Sequence, residues 1–152
     1  MPGAHNLLQG RYIIATSVLI NTYFEAAIIF ITEHNENGAI GYITNQPYPR
    51  RFNELVAFID SPPVLLYEGG PVEHEKLFFI HRRKDLVTGS ILVADNIYIG
   101  GNFTNAVQLI NTGNFPLSDF KLFIGYCGWD AGELEAEIAE GSWELTGGKL
   151  FD

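Results

Sequence analysis

The stretch that most constrains the fold is Ala27 to Thr44. Ala27–His34 (AIIFITEH) is β-branched and aromatic, Asn35-Glu36-Asn37-Gly38 is turn chemistry, and Ala39–Thr44 (AIGYIT) returns in the same style. Asn-Gly is the favoured pair where both central turn residues take positive φ, so the segment reads as a β-hairpin. The nearly continuous apolar first strand predicts burial on both faces. Asn45-Gln46-Pro47 ends it, because proline cannot donate to a sheet ladder.

The rest of the chain is read outward from that hairpin. Leu7–Thr16 leads into a short strand at Tyr12–Ala15. Phe52, Leu55, Val56 and Ile59 stand at spacings of three and four, one face of a short helix, which Asp60-Ser61-Pro62-Pro63 stops. Val64–Tyr67 is a short strand, followed by Glu68-Gly69-Gly70-Pro71, where glycines permit unusual backbone angles and proline fixes the exit. Leu77–His81, Ser90–Val93 and Ile97–Ile99 are strand-like. Asn102 or Thr104 caps a helix that turns Phe103, Ala106, Val107 and Ile110 inward and ends near Gly113. Trp143–Leu145 is a last strand.

Leu122–Ile138 (LFIGYCGWDAGELEAEI) is the densest stretch. It reads as a strand over Lys121–Tyr126, a glycine-rich turn with Gly125, Gly128 and Gly132, and a helix over Asp130–Glu140 with Gly141 at its C′ position. Strands outnumber helices and no regular βαβ alternation occurs. The predicted class is α+β, a mixed and largely antiparallel sheet with helices packed on it.

Composition narrows the function. The chain has 152 residues, 47% hydrophobic and 18% charged, which suits one packed domain over residues 1–152. Its 18 acids against 9 bases give a formal charge of -9. That argues against direct nucleic-acid binding, whose affinity comes largely from Lys and Arg on phosphates. The basic clusters His81-Arg82-Arg83-Lys84 and Arg50-Arg51 are too small for a DNA-binding face. A lone cysteine excludes an internal disulfide. The first ten residues lack a signal-peptide pattern, and the longest apolar run falls far short of the ~20 residues a span needs. The expectation is a cytoplasmic protein without a membrane partner.

Four stretches occur in a telling order: EHNENGAIGYITNQP (Glu33–Pro47), YEGGPV (Tyr67–Val72), LFFIH (Leu77–His81) and GYCGWDAGELEAEI (Gly125–Ile138). Together they resemble the AlgH/YqgE family over about residues 7–152. Three departures stand out. The family usually reads Asn-Arg-Pro where this chain has Asn45-Gln46-Pro47, and Tyr-Ala-Gly-Trp-Gly where it has Tyr126-Cys127-Gly128-Trp129-Asp130. A Thr/Ser-rich segment is replaced by Gly100-Gly101-Asn102. The resemblance implies a cytoplasmic bacterial α+β domain with a partly barrel-like sheet. It also implies the label of transcriptional regulator, drawn from a genetic link to alginate. It carries over no catalytic residue.

The candidate sites are therefore weighed on their own chemistry. Asp130 and Glu133 have capping-box spacing, which is favoured over a phosphate cradle because the acids repel an anion and no Walker-type lysine is present. Glu133 and Glu137, four apart, read as a solvated helix face. Glu33 and His34 end the first hairpin strand. Adjacent strand residues face opposite ways, so turn stabilisation with Asn35 is favoured over catalysis. Glu68, His74, His81 and His34 lack metal-ligand spacing, so no metal and no cofactor is expected. Cys127 reads as a small buried hydrophobe. Trp129 beside Tyr126 is either a ligand-stacking wall or a core plug. Two functions stand. The first is a non-catalytic regulatory or interaction protein whose partner is a protein or small molecule. The second is a small enzyme or ligand-binding domain. Its candidate pocket residues are Glu33, His34, Asn35, Asn45, Glu68, Gly69, Gly70, Tyr126, Gly128 and Trp129.

Overall fold

The computed structural model describes residues 8–151. The reading of the chain's start as free of a signal peptide, and the first residue of the Leu7–Thr16 leader, thus fall wholly or mostly outside the described residues. Nine strands and two helices are described: β1 (Tyr12–Ala15), β2 (Ile28–Asn35), β3 (Gly38–Ile43), β4 (Leu66–Glu68), β5 (Val72–His81), β6 (Ile91–Ala94), β7 (Ile97–Ile99), α1 (Phe103–Asn111), β8 (Phe120–Asp130), α2 (Glu133–Ala139) and β9 (Trp143–Thr146). The strands run in the order β6-β7-β5-β8-β3-β2-β1-β9. Pairing is antiparallel throughout that path, and β4 joins β8 in parallel. The fold is α+β, as the pattern of strands and helices predicted. Among the described residues no helix is long and apolar enough to cross a membrane.

The hairpin forms where it was expected, with Asn35 paired to Gly38. Its turn chemistry differs. Asn37 does not take positive φ. Instead the Asn35 side-chain oxygen accepts the Asn37 N–H at 2.7 Å, an Asx turn. Gly38 is required for a separate reason. A Cβ there would collide with the Trp129 carbonyl of β8, its neighbour in the sheet. Ile29, Phe30 and Ile31 are all buried, so β2 is covered on both faces as its apolar run implies.

Strand β8 is the spine. Its first half, Phe120–Ile124, is flanked by β5 on one side and β4 on the other; from Cys127 to Asp130 its partner is β3. The predicted glycine-rich turn at Gly125–Gly128 is therefore absent, and the strand continues to Asp130. Gly125 sits where partners change, with φ 71. That angle bends the strand without ending it.

Three apolar clusters hold the layers. Ile13, Ile29, Ile31, Cys127 and Trp129 pack under α2 through Leu134. Phe52, Leu66, Phe79 and Leu122 pack under α1 through Ala106 and Ile110. Phe30, Tyr42, Val93, Phe123 and Leu150 lie on the concave side. Val93 belongs to one edge strand, and Leu150 follows the other. The sheet thus curls until its edges share a cluster, but β6 and β9 do not pair and the barrel stays open.

Helix α1 begins as read, with the Asn102 side chain accepting the Asn105 N–H. Helix α2 is shorter than predicted. Its N-cap is Gly132, not Asp130, and only the reverse half of the expected pair forms: Glu133 accepts the Asp130 N–H at 3.0 Å. Its C-terminus is a Schellman motif, with Gly141 N–H on Ile138 and Ser142 N–H on Glu137. The predicted helix at Phe52–Ile59 is two 3-10 turns, Phe52–Glu54 and Val56–Phe58, separated by an extended Leu55. Phe52 is buried against Phe58 with ring centroids 4.5 Å apart, while Val56 and Ile59 face solvent.

Candidate functional site

A backbone crossing organises the region around β8. After β4, Gly69 donates its N–H to Ile124 at 2.8 Å and accepts the Ile43 N–H at 2.9 Å. Cβ atoms at Gly69 or Gly70 would strike the backbone of Gly125 and Tyr126. Only residues without side chains let the two chains pass at this separation. The crossing brings Cys127 within electrostatic reach of Glu68. The Cys127 thiol reaches the Gly69 carbonyl at 3.4 Å.

Glu68 gathers two partners. The Tyr23 hydroxyl donates a short hydrogen bond to it, and His74 Nε2 lies 2.8 and 2.6 Å from its two oxygens. A carboxylate acceptor places the imidazole proton on Nε2. Burial, and then the neighbouring Glu68 carboxylate, push the Tyr23 hydroxyl well above its ordinary range. Cys127 behaves the same way. Burial first and the Glu68 charge second push its thiol up to about 12. A thiol held protonated beside a carboxylate is a poor nucleophile, which agrees with the reading of Cys127 as a small hydrophobe.

Trp129 is a buried wall between two clefts. Glu33, Ile40, Tyr126 and Gly128 share one, of about 380 Å³. Phe24, Pro71, Glu133, Glu137 and Trp143 share the other, of about 410 Å³. At the floor of the second, one oxygen of Glu137 accepts both indole N–H groups, Trp129 and Trp143, each at 3.0 Å. Glu137 is therefore an anchor between β8 and β9 rather than part of a solvated face. Glu133 is exposed, as that reading required.

Of the ten pocket residues read from the sequence, Glu33, Tyr126, Gly128 and Trp129 line one cleft. Gly69 and Gly70 form the crossing beneath it. The others are elsewhere. His34 points the opposite way from Glu33, as alternation demands. It is buried under α2, with Nε2 3.1 Å from Glu135 and Nδ1 accepting the Leu8 N–H at 3.4 Å. Asn35 forms the hairpin's Asx turn. Asn45 clamps a corner, accepting from Ile28 and donating to Ala26, each at 2.9 Å, where Ala26 holds φ 58. Glu68 faces Tyr23 and His74.

Tyr23, which lies in an irregular stretch, carries no local pattern that marks it, and neither does the pairing of Trp143 with Glu137. His81 is a satisfied core imidazole. Its Nε2 faces the Gly100 carbonyl at 3.3 Å and its Nδ1 accepts the Arg83 N–H at 3.1 Å. Burial lowers its pKa below the ordinary value. Arg82 and Arg83 both pair with Asp119, at 2.7 and 3.2 Å, and Arg83 also with Asp85 at 2.7 Å. The hydrogen bond from Arg82 leads the effects that hold Asp119 below the usual carboxylate range. The basic cluster is thereby largely neutralised.

The chain is similar to known proteins over most of its length. A UPF0301 protein of Chlorobium luteolum is 39% identical over 137 residues, covering 90% of this chain and 72% of that protein. One from Chlorobaculum tepidum is 36% identical over the same span, 73% of its own length. The solution structure of the AlgH protein from Pseudomonas aeruginosa superposes with a TM-score of 0.78 at 26% identity, covering 95% of this chain and 81% of that one. The AlgH-like family model matches residues 12–149, and the chain belongs to the AlgH-like family.

Proposed function

We propose that this AlgH-like protein is a non-catalytic regulatory or interaction protein that works by recognising a protein or small-molecule partner rather than duplex DNA. One observation carries the reading: the groups that would do chemistry around β8 are already engaged in structural pairs. His34 holds Glu135, His74 holds Glu68, and Glu137 holds both indoles. Cys127 is buried with its thiol raised to about 12. What remains open around Trp129 is concave and part-aromatic, the character of recognition sites. The reading against DNA is supported by the charge of -9 and by the pairing of Arg82 and Arg83 with acids.

The alternative, a small enzyme, has one observation in its favour. With its proton on Nε2 toward Glu68, His74 leaves Nδ1 as a base, in a carboxylate–imidazole arrangement known from hydrolytic sites. A panel of chromogenic esters, phosphate esters and glycosides separates the two. The expected result is no turnover above that of the Glu68→Gln and His74→Phe variants. Turnover that both substitutions abolish would overturn the proposal. Fluorescence anisotropy with a labelled duplex is expected to stay flat at physiological salt.

A further inference from the structure

A cleft of about 450 Å³ opens where the curled sheet stops short of closing. One wall is the β6–β7 turn. Asp95 and Asn96 both take positive φ there, 42 and 65, so the turn is tight. The opposite wall is the segment after β9, from Thr146 to Phe151. The floor is apolar and aromatic: Phe30 is fully buried, Tyr12 packs on it with ring centroids 4.9 Å apart, and Ile97 and Leu150 complete it.

The rim is locally basic although the molecule as a whole is acidic. Arg11, Arg82 and Lys149 border this one cleft, three of the nine basic residues of a chain with charge -9, and Asp95 is the acid among its described lining residues. Arg82 is held in place, with Nε on Asp119 at 2.7 Å and its guanidinium carbon 5.3 Å from the centre of the Phe151 ring. Arg11 and Lys149 are exposed. A concave, low-dielectric wall focuses such charges on whatever enters. Such a rim draws an anion although the net charge is negative. A fully hydrated ion would gain nothing from the aromatic floor.

We propose that this cleft binds an amphipathic organic anion, a carboxylate or phosphate group carried on a flat apolar body. The body lies against Tyr12 and Ile97, which cover the buried Phe30, and the charge meets Arg11 and Lys149. The volume lies within the range of about 300–1,000 Å³ usual for small-ligand sites. The site goes beyond the reading above and is separate from the clefts at Trp129.

The test is a titration of the whole chain, labelled with nitrogen-15, followed by amide chemical shifts. The probes are 2-naphthoate, 2-naphthyl phosphate, neutral 2-naphthol and inorganic phosphate. The two naphthyl anions are expected to shift the amides of Asp95–Ile97 and Thr146–Phe151 saturably, and the tighter of the two names the head group. Arg11→Gln and Lys149→Gln are each expected to weaken binding about fivefold, the upper end of what one exposed charge contributes. Lys76→Gln, outside the cleft, should leave it unchanged. Both rim residues are exposed, so the variants should fold, and their spectra show whether they do. The proposal is overturned if 2-naphthol binds as tightly as 2-naphthoate, if inorganic phosphate matches 2-naphthyl phosphate, or if the rim variants bind like wild type. It is also overturned if no amide near the cleft moves. Those outcomes leave the non-catalytic reading intact, whereas chromogenic turnover would sink that reading and leave this cleft standing.

Discussion

Substituting Gly125 by alanine tests the account of β8 most directly. Two costs add at this position. Its φ of 71 lies in the left-handed region, which costs an L-residue about 1–2 kcal/mol. A Cβ there would sit closer than 3.0 Å to the Gly70 carbonyl oxygen and 3.0 Å from that of Val72. Both neighbours are backbone, and neither can rotate aside. Intrusions of this kind typically cost about 1–3 kcal/mol. The expected loss is thus about 2–5 kcal/mol, a large share of the ~5–15 kcal/mol that holds a domain folded. Two other glycines separate the terms. Gly132, with φ 77, has open space around its Cβ position, so Gly132→Ala should lose only the conformational ~1–2 kcal/mol. Gly147 has neither a left-handed φ nor a neighbour, and Gly147→Ala should be neutral to about 1 kcal/mol stabilising. Urea unfolding followed by tryptophan fluorescence, at constant m-value, measures all three. If Gly125→Ala lost no more than Gly132→Ala, the close crossing with Gly70 would be refuted.

Two further expectations concern the neighbours of that crossing. Glu137→Ala leaves two indole N–H groups without their acceptor, so it should cost about 1–3 kcal/mol and change the emission of the chain's two tryptophans. Glu137→Gln keeps an acceptor and should lose less, and unchanged emission and stability in the alanine variant would contradict the bridge. Cys127, buried with its thiol pushed up to about 12, should resist Ellman's reagent at pH 8 in the native state and react promptly in urea; fast native labelling would show that it is accessible.

What could be read in advance divides along physical lines. The β2–β3 hairpin, the Asn102 cap and the Gly141 terminus were legible because local residues determine each. Strand β8 was misread at Gly125–Gly128, since glycines in a run ordinarily mark a turn. Here they serve a tertiary crossing with Gly69 and Gly70, which no local pattern records. The 52–59 segment failed for a related reason. Its apolar spacing matched a helix, but Leu55 is extended and Val56 and Ile59 are exposed. The N-terminal half of β5 reads VEHEK, with no alternation to reveal a strand, and its register against β8 shifts between Val72 and Leu77. The ten pocket residues scattered in part because sequence proximity hides side-chain direction. Glu33 and His34 are neighbours that serve opposite faces.

The acidity of the chain takes on a different meaning once its carboxylates are located. Several of them fasten elements far apart in sequence. Glu68 joins the loop at Tyr23 to β5, Glu135 joins α2 to β2, and Glu137 joins α2 to β8 and β9. Asp119 fixes two arginines at the end of β5. Such pairing leaves the formal charge of -9 unchanged, but it sets where each charge sits, and a small anion responds to the charges nearest the gap between β6 and β9. Counterion-driven binding of a nucleic-acid backbone needs a broad field of free cations, and the pairing of Arg82 and Arg83 removes two candidates from it. A small anion needs only a few charges at one rim. Arg11 and Lys149 supply such charges at the gap where the sheet's own edges fail to meet.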